Sequence, residues 1–316
     1  MTMLEGVTNN ITVNKQNPYW NMGTNSSIPA QATTGTLERQ PKTDSVELSK
    51  KPMSKQTKTL LTIGGIATAI LGTVLAVKGY RSHQITKGLE QIEQKFLKLQ
   101  ENIPEVQKTF KDVFLRGDIT EKEALEMLNR YKEVEKIRVT GTKEEYARAL
   151  FDEAKRNYGF ADSNLKISYF DTEGRMGGGF GWIMPEITID SKGRIKRLMN
   201  TIHHELRHAK QTYYAINMKP DEYLAAMRTA RKGTNFENLV SSYTPEEILK
   251  IFGMSKPNKH IVPSKYESFV DNVIQGEKKR TYSADYFGPE YMNNFLEVDA
   301  RSAGESMAKL FGLMTK

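Results

Sequence analysis

IHHELRHAKQ, residues 202–211, carries three of the five histidines in a chain of 316 residues. His204 and His208 stand four apart, with Glu205 directly after the first. On a helix over residues 193–216, Ile195, Leu198, Met199, Ile202, Leu206, Ala209, Tyr213 and Ile216 form one apolar stripe. His204 and His208 then fall about 40° apart, on roughly the opposite side. Two imidazoles so spaced reach a single ion, while Glu205, offset to the flank, reaches a water on that ion rather than the ion itself. Zinc lowers the pKa of such a water to about 7, and a flanking carboxylate takes its proton and later passes it to a leaving amine. His203 points to a different face, as a residue behind the ligands or on the surface. The competing reading is a polar, exposed helix face that happens to bear histidines. Five histidines in 316 residues make a chance H-E-x-x-H rare, which favours the metal site.

The preceding residues supply a context for such a helix. Thr120 with Glu123 and Thr142 with Glu145 are capping boxes, opening helices over about 121–138 and 143–158. The period then changes: LKISYF (165–170) and ITID (187–190) read as strands around the glycine-rich GRMGGGFGWIM (174–184). The expected fold is α+β, mainly helical, with a small antiparallel sheet just before the histidine helix. Further helices are expected at 220–231, 245–253 and 263–279.

Two histidines leave a catalytic zinc short of its third protein ligand. His260 lies in SKPNKHIVP, a loop-like stretch. A better candidate lies in NNFLEVDARSAGESMAKLFG (293–312), where Glu297, Ala300, Gly304 and Ala308 share a helix face. Small side chains beside one carboxylate let this helix press against the first and bring Glu297 to the metal. Asp299 is the runner-up ligand and the candidate for orienting a histidine from behind. Tyr282, Tyr286 and Tyr291, just upstream, are candidates by position for stabilising an oxyanion. Arg207, placed on the exposed side of the helix, either binds a substrate carboxylate or pairs with an acid.

HELRH followed by EVDAR resembles the gluzincin branch of the H-E-x-x-H zinc metallopeptidases, with a Glu-x-x-Ala third-ligand motif on a later helix. The likeness covers residues from about 143 to 316. It implies a zincin-like fold, one Zn2+ held by His204, His208 and Glu297, and Glu205 as general base. It also implies a peptide or protein substrate laid along an edge strand, here within Gly179–Met184 or Ile187–Asp190. The separation of 89 positions between His208 and Glu297 departs from the compact pattern and puts access to the cleft in question.

The N-terminal part has another character. Residues 1–58 are polar, proline-punctuated and without apolar period, which reads as a disordered tail. LLTIGGIATAILGTVLAV (60–77) holds no charge between Lys58 and Lys78. Eighteen residues at ~1.5 Å each span ~27 Å, so a transmembrane helix over 59–79 is expected, with a lipid bilayer as partner. Gly64, Thr68, Gly72 and Ala76 form a small-residue stripe that suits a homodimer through this helix. Flanking bases are balanced, so the side of the membrane is unread. Over 80–141, Ile85, Leu89, Ile92, Phe96, Leu99 and Ile103 trace a heptad seam interrupted at Pro104, either a short coiled coil or a helical hairpin packed on the domain at 142–316. The absence of cysteine excludes disulfides, a thiol nucleophile and thiolate zinc sites. The net charge of +8 is dispersed among acids, which argues for solubility or anionic lipid contact and against a nucleic-acid partner. Together these features predict a single-pass, membrane-anchored zinc metallopeptidase. The alternatives are a toxin- or effector-type zincin protease and a catalytically silent membrane scaffold; the second leaves Glu205 without a purpose.

Overall fold

The computed structural model describes residues 81–171, 178–181, 186–234, 237–280 and 288–314. All belong to one unit of the chain, residues 64–282 and 286–316. The tail, the apolar run 60–77, Tyr282 and Tyr286 lie outside the described residues. Among the described residues no helix is long and apolar enough to cross a membrane.

The first helix among the described residues, α1 (81–100), is followed by α2 (Ile103–Phe114), which restarts at Pro104. Asn102 does not cap it with its side chain; its amide donates instead to Glu105 Oε2 at 2.6 Å. Part of the apolar seam is buried inside the chain itself: Ile92, Phe96 and Ile103 are almost wholly covered, as are Val106, Phe110 and Val113 of α2, while Ile85, Leu89 and Leu99 are half-buried, and the Phe96 ring lies 5.6 Å from that of Phe311. Helices α3 (Glu121–Thr140) and α4 (Lys143–Asn157) both open on complete capping boxes, in which threonine side chain and glutamate each take a backbone N–H of the other. Their buried residues join α2 in an aromatic core of Phe110, Phe114, Tyr131, Tyr146 and Tyr158. The helices on both sides of residue 141 therefore share one core.

Three short strands follow, β1 (Lys166–Phe170), β2 (Gly178–Gly181) and β3 (Glu186–Asp190), in the order β1-β3-β2. The sheet is mixed, which corrects the antiparallel expectation: β1 runs parallel to β3, with Lys166 opposite Glu186, while β2 runs antiparallel to β3. Alternation of Ile187 and Ile189, both buried, reveals a strand with one covered face and says nothing about its direction. Because β3 is paired on both sides, Ile187–Asp190 cannot serve as an edge for a peptide; β2 remains as an edge.

A short 3-10 turn leads into α5 (Leu198–Met218). Leu198, Met199, Ile202, Leu206, Ala209 and Ile216 of the expected stripe are buried. The opposite side is covered as well, because α4, the sheet and three helices further along the chain surround it. Downstream come α6 (Pro220–Arg231), α7 (Glu237–Ser242), α8 (Pro245–Leu249), α9 (Glu267–Lys278), α10 (Pro289–Met292) and α11 (Phe295–Leu310). α8 opens on a third capping box, Thr244 with Glu247.

α11 makes its broadest contact with α5. Asn200 meets Gly304, Arg207 meets Asp299 and Gln211 meets Leu296, so the two helices run antiparallel. A Cβ on Gly304 would lie 2.5 Å from the Asn200 carbonyl oxygen, a distance only glycine permits. With Ala300 and Ala308 also buried, the small-residue face of α11 is what lets the helices close up.

Candidate metal centre

The tight α5–α11 pairing brings three metal-ligating side chains together: His204, His208 and Glu297. His204 Nε2 and His208 Nε2 are 3.2 Å apart. His204 Nε2 lies 3.4 Å from Glu297 Oε2, and His208 Nε2 lies 3.4 Å from Glu297 Oε1. For bonds of ~2.0–2.1 Å the edge of a coordination tetrahedron is about 3.3–3.4 Å, so these donors stand at the spacing that one shared ion requires. The group could hold a metal ion. Its donor set, two imidazole nitrogens and a carboxylate oxygen, suits a borderline divalent cation. His260 stands apart from it, exposed on a 3-10 turn.

Glu297 is 2% exposed. Burial alone would raise its carboxyl, but the charge of His208, hydrogen bonds from both histidines and the nearby Arg280 outweigh it and hold the group well below the usual carboxylate range. Glu205 is also buried, and here burial prevails: helped by the negative charge of Glu297 and opposed by His204, it pushes the carboxyl up to about 7. The Glu205 carboxylate accepts a hydrogen bond from the backbone N–H of Phe180 in β2. The edge strand and the flanking acid are thus in direct contact.

The surroundings correct several expectations. Asp299 is not among the clustered donors; its carboxylate takes Nε and Nη2 of Arg207 at 2.7 and 2.6 Å and the amide of Gln211 at 2.8 Å. Arg207 is not exposed. It is buried, and the partner it takes is this acid rather than solvent or an open cleft, because α11 covers its side of α5. His203 is a core residue and neither surface nor ligand: it is fully buried, with Nε2 3.3 Å from the Tyr131 hydroxyl and its carbonyl accepting from Tyr158. Burial drives its pKa down to about 3, which keeps the ring neutral. Of the three tyrosines, Tyr291 is described. Its hydroxyl is hydrogen-bonded to Glu297, and burial, then the charge of Glu297, raise its pKa, so it remains a donor.

Three contributors are not evident in the motif. Arg280, two residues after α9, donates Nη2 to Glu297 Oε1 at 3.3 Å and pairs with Glu277, which in turn binds buried Arg231 of α6 at 2.5 Å. The long insertion between the two halves of the site therefore supplies a cation to it. Gln211 places Oε1 2.9 Å from His208 Nδ1. Its only sequence signal is its position, three residues after His208 on the same helix face. The third is the Phe180 amide, which no side-chain pattern could announce.

Comparison with known proteins finds no matching family model, no matching curated protein and no matching solved structure.

Proposed function

We propose that this chain is a zinc-dependent metallopeptidase of the gluzincin type, tethered to a membrane through residues 59–79. The observation that carries the reading is the set of spacings among His204, His208 and Glu297, 3.2, 3.4 and 3.4 Å, with the buried carboxylate of Glu205 beside them. His204, His208 and Glu297 would hold the zinc, which when bound would supply Lewis acidity and an acidified water. Glu205 is the general base: the Phe180 N–H orients its carboxylate, and a pKa near 7 suits a group that takes a proton and returns it to a leaving amine. Tyr291, a protonated donor beside Glu297, is the described candidate for stabilising an oxyanion. The outer edge of β2 offers backbone groups to an extended peptide, which then lies next to Glu205. The tether rests on the charge-free run 60–77 and its flanking lysines.

The test uses the full chain. It is expected to hold about one zinc per molecule, and Glu205→Gln is expected to keep that zinc while losing hydrolysis, read by profiling protein termini produced by the two forms side by side. A wild-type protein that takes up no zinc, or identical termini profiles, would sink the proposal.

A further inference from the structure

Gln211 is the only described side chain hydrogen-bonded to His208 Nδ1. Its amide nitrogen donates to two acceptors, the Leu296 carbonyl at 3.0 Å and Asp299 Oδ2 at 2.8 Å. An amide has two N–H donors, and both are committed, so the oxygen is the atom turned toward the imidazole. That oxygen can only accept. It therefore holds a proton of His208 on Nδ1 and makes Nε2, which faces His204 and Glu297, the nitrogen whose lone pair a cation would take. A reversed amide would set its carbonyl against a carboxylate and a carbonyl.

The chain of contacts continues beyond Asp299. Arg207, which grips this carboxylate with two nitrogens, sends Nη1 to the carbonyls of Asp112 at 2.9 Å and Val113 at 2.7 Å. These belong to the last turn of α2, whose carbonyls lack partners within the helix. Just beyond the helix, the Tyr214 hydroxyl donates to Leu115 O at 2.6 Å and the Tyr266 hydroxyl to Arg116 O at 2.7 Å. The end of α2 is thus capped largely by side chains of the histidine helix. Leu115, in the left-handed region at φ 49°, turns the chain so that its carbonyl is available.

We propose that Gln211 is the positioning residue of His208, and that Asp299 and Arg207 tie its setting to the docked C-terminus of α2. The inference rests on the metal reading above. It makes metal affinity depend on a helix outside the stretch that bears the metallopeptidase resemblance.

The experiment uses the full chain and zinc alone, with affinity read by competition against a chromophoric chelator, the d–d spectrum of the cobalt form, and melting of the metal-free protein. Gln211→Leu removes the acceptor at similar volume and is expected to lower zinc affinity about 10- to 100-fold and alter the cobalt spectrum. Gln211→Glu combined with Asp299→Asn exchanges amide and carboxylate, returns an acceptor to His208, and is expected to recover to within about tenfold of wild type. A merely structural role would instead make affinity follow the metal-free stability of each variant. Arg207→Lys keeps a cation near Asp299 but loses the fork and the α2 carbonyls, and is expected to bind zinc at least about fivefold more weakly. Gln211→Leu within twofold of wild type, or an exchange variant as weak as Gln211→Leu, overturns the assignment of Gln211. Unchanged affinity in Arg207→Lys overturns the α2 link. A wild-type chain without zinc overturns the metal reading itself, a result seen before any variant is made.

Discussion

Gly304→Ala is the sharpest probe of how the site is assembled, because two effects of opposite sign meet in one methyl group. Within a helix, alanine in place of glycine stabilises by about 1 kcal/mol where there is room. At this position the added carbon would lie 2.5 Å from both the carbonyl and the side-chain oxygen of Asn200, against the 3.4 Å at which ordinary contact begins. The side-chain oxygen can rotate away, but the carbonyl is part of α5. The helices must therefore separate by about 0.9 Å at the crossing, and overpacking of this kind costs about 1–3 kcal/mol. Against a backbone atom the upper part of that range applies, leaving a net loss of about 1–2 kcal/mol after the propensity gain. In a domain of this size that lowers Tm by about 2–8 °C. The consequence for the metal is larger. Glu297 sits seven residues before Gly304 on the same face, about 10.5 Å along the axis, and must follow the helix. A ligand set tolerates about 0.2 Å in its distances, so an outward shift of this order is expected to weaken zinc binding at least about tenfold. Thermal melting of the metal-free protein and chelator competition measure the two effects. A variant that melts at or above the wild-type temperature and binds zinc within twofold would show that the methyl finds room, and that Gly304 does not set the α5–α11 spacing.

Two further substitutions separate ligation from support. Glu297→Ala removes one of the three clustered donors and is expected to lower zinc affinity more than Asp299→Ala, whereas Asp299→Ala strands the buried Arg207 and is expected to cost more stability, about 3–5 kcal/mol; the reverse ranking in zinc titration would make Asp299 the ligand. Glu277→Gln breaks the buried pair with Arg231 and is expected to destabilise by about 3–5 kcal/mol in urea unfolding at pH 7. Burial opposes ionisation of Glu277, but Arg231 and Arg280 outweigh it and hold its carboxyl below 4.5, so its contribution is present above that pH and is lost as the pH falls through the lower folded-state value. Wild type should therefore lose stability on acidification below about pH 4.5 more steeply than Glu277→Gln, and parallel curves would contradict this.

What could be read in advance followed the range of the interactions. Thr120 with Glu123 and Thr142 with Glu145 close over three residues, so their signals survive without any tertiary partner, and each helix starts where its box stands. Glu297 was legible because its neighbours at Ala300, Gly304 and Ala308 announce a close approach, although they do not say to what. Arg207 was misplaced for the complementary reason. Its charge suggested water, while its partners, Asp299 and the carbonyls of Asp112 and Val113, lie 92 or more positions away and appear only once the chain has folded. Strand direction failed similarly: alternation in ITID specifies faces, and direction depends on which neighbour the strand finds. α7 was missed altogether; ENLVSS is six residues with one buried side chain, Val240, too short for a period to show.

The order β1-β3-β2 has a consequence for how the protein comes into being. β1 and β2 are consecutive in the chain but not neighbours in the sheet, so neither has its partner until residues 186–190 arrive to lie between them. Among the described strands the one successive pair that bonds directly is β2 with β3, so pairing of either outer strand waits for residues 186–190, and during synthesis the middle of the sheet is made last. The next helix begins at Leu198, a few residues further on. The strand whose amide meets Glu205 therefore gains its partner only shortly before the helix that carries Glu205 is made.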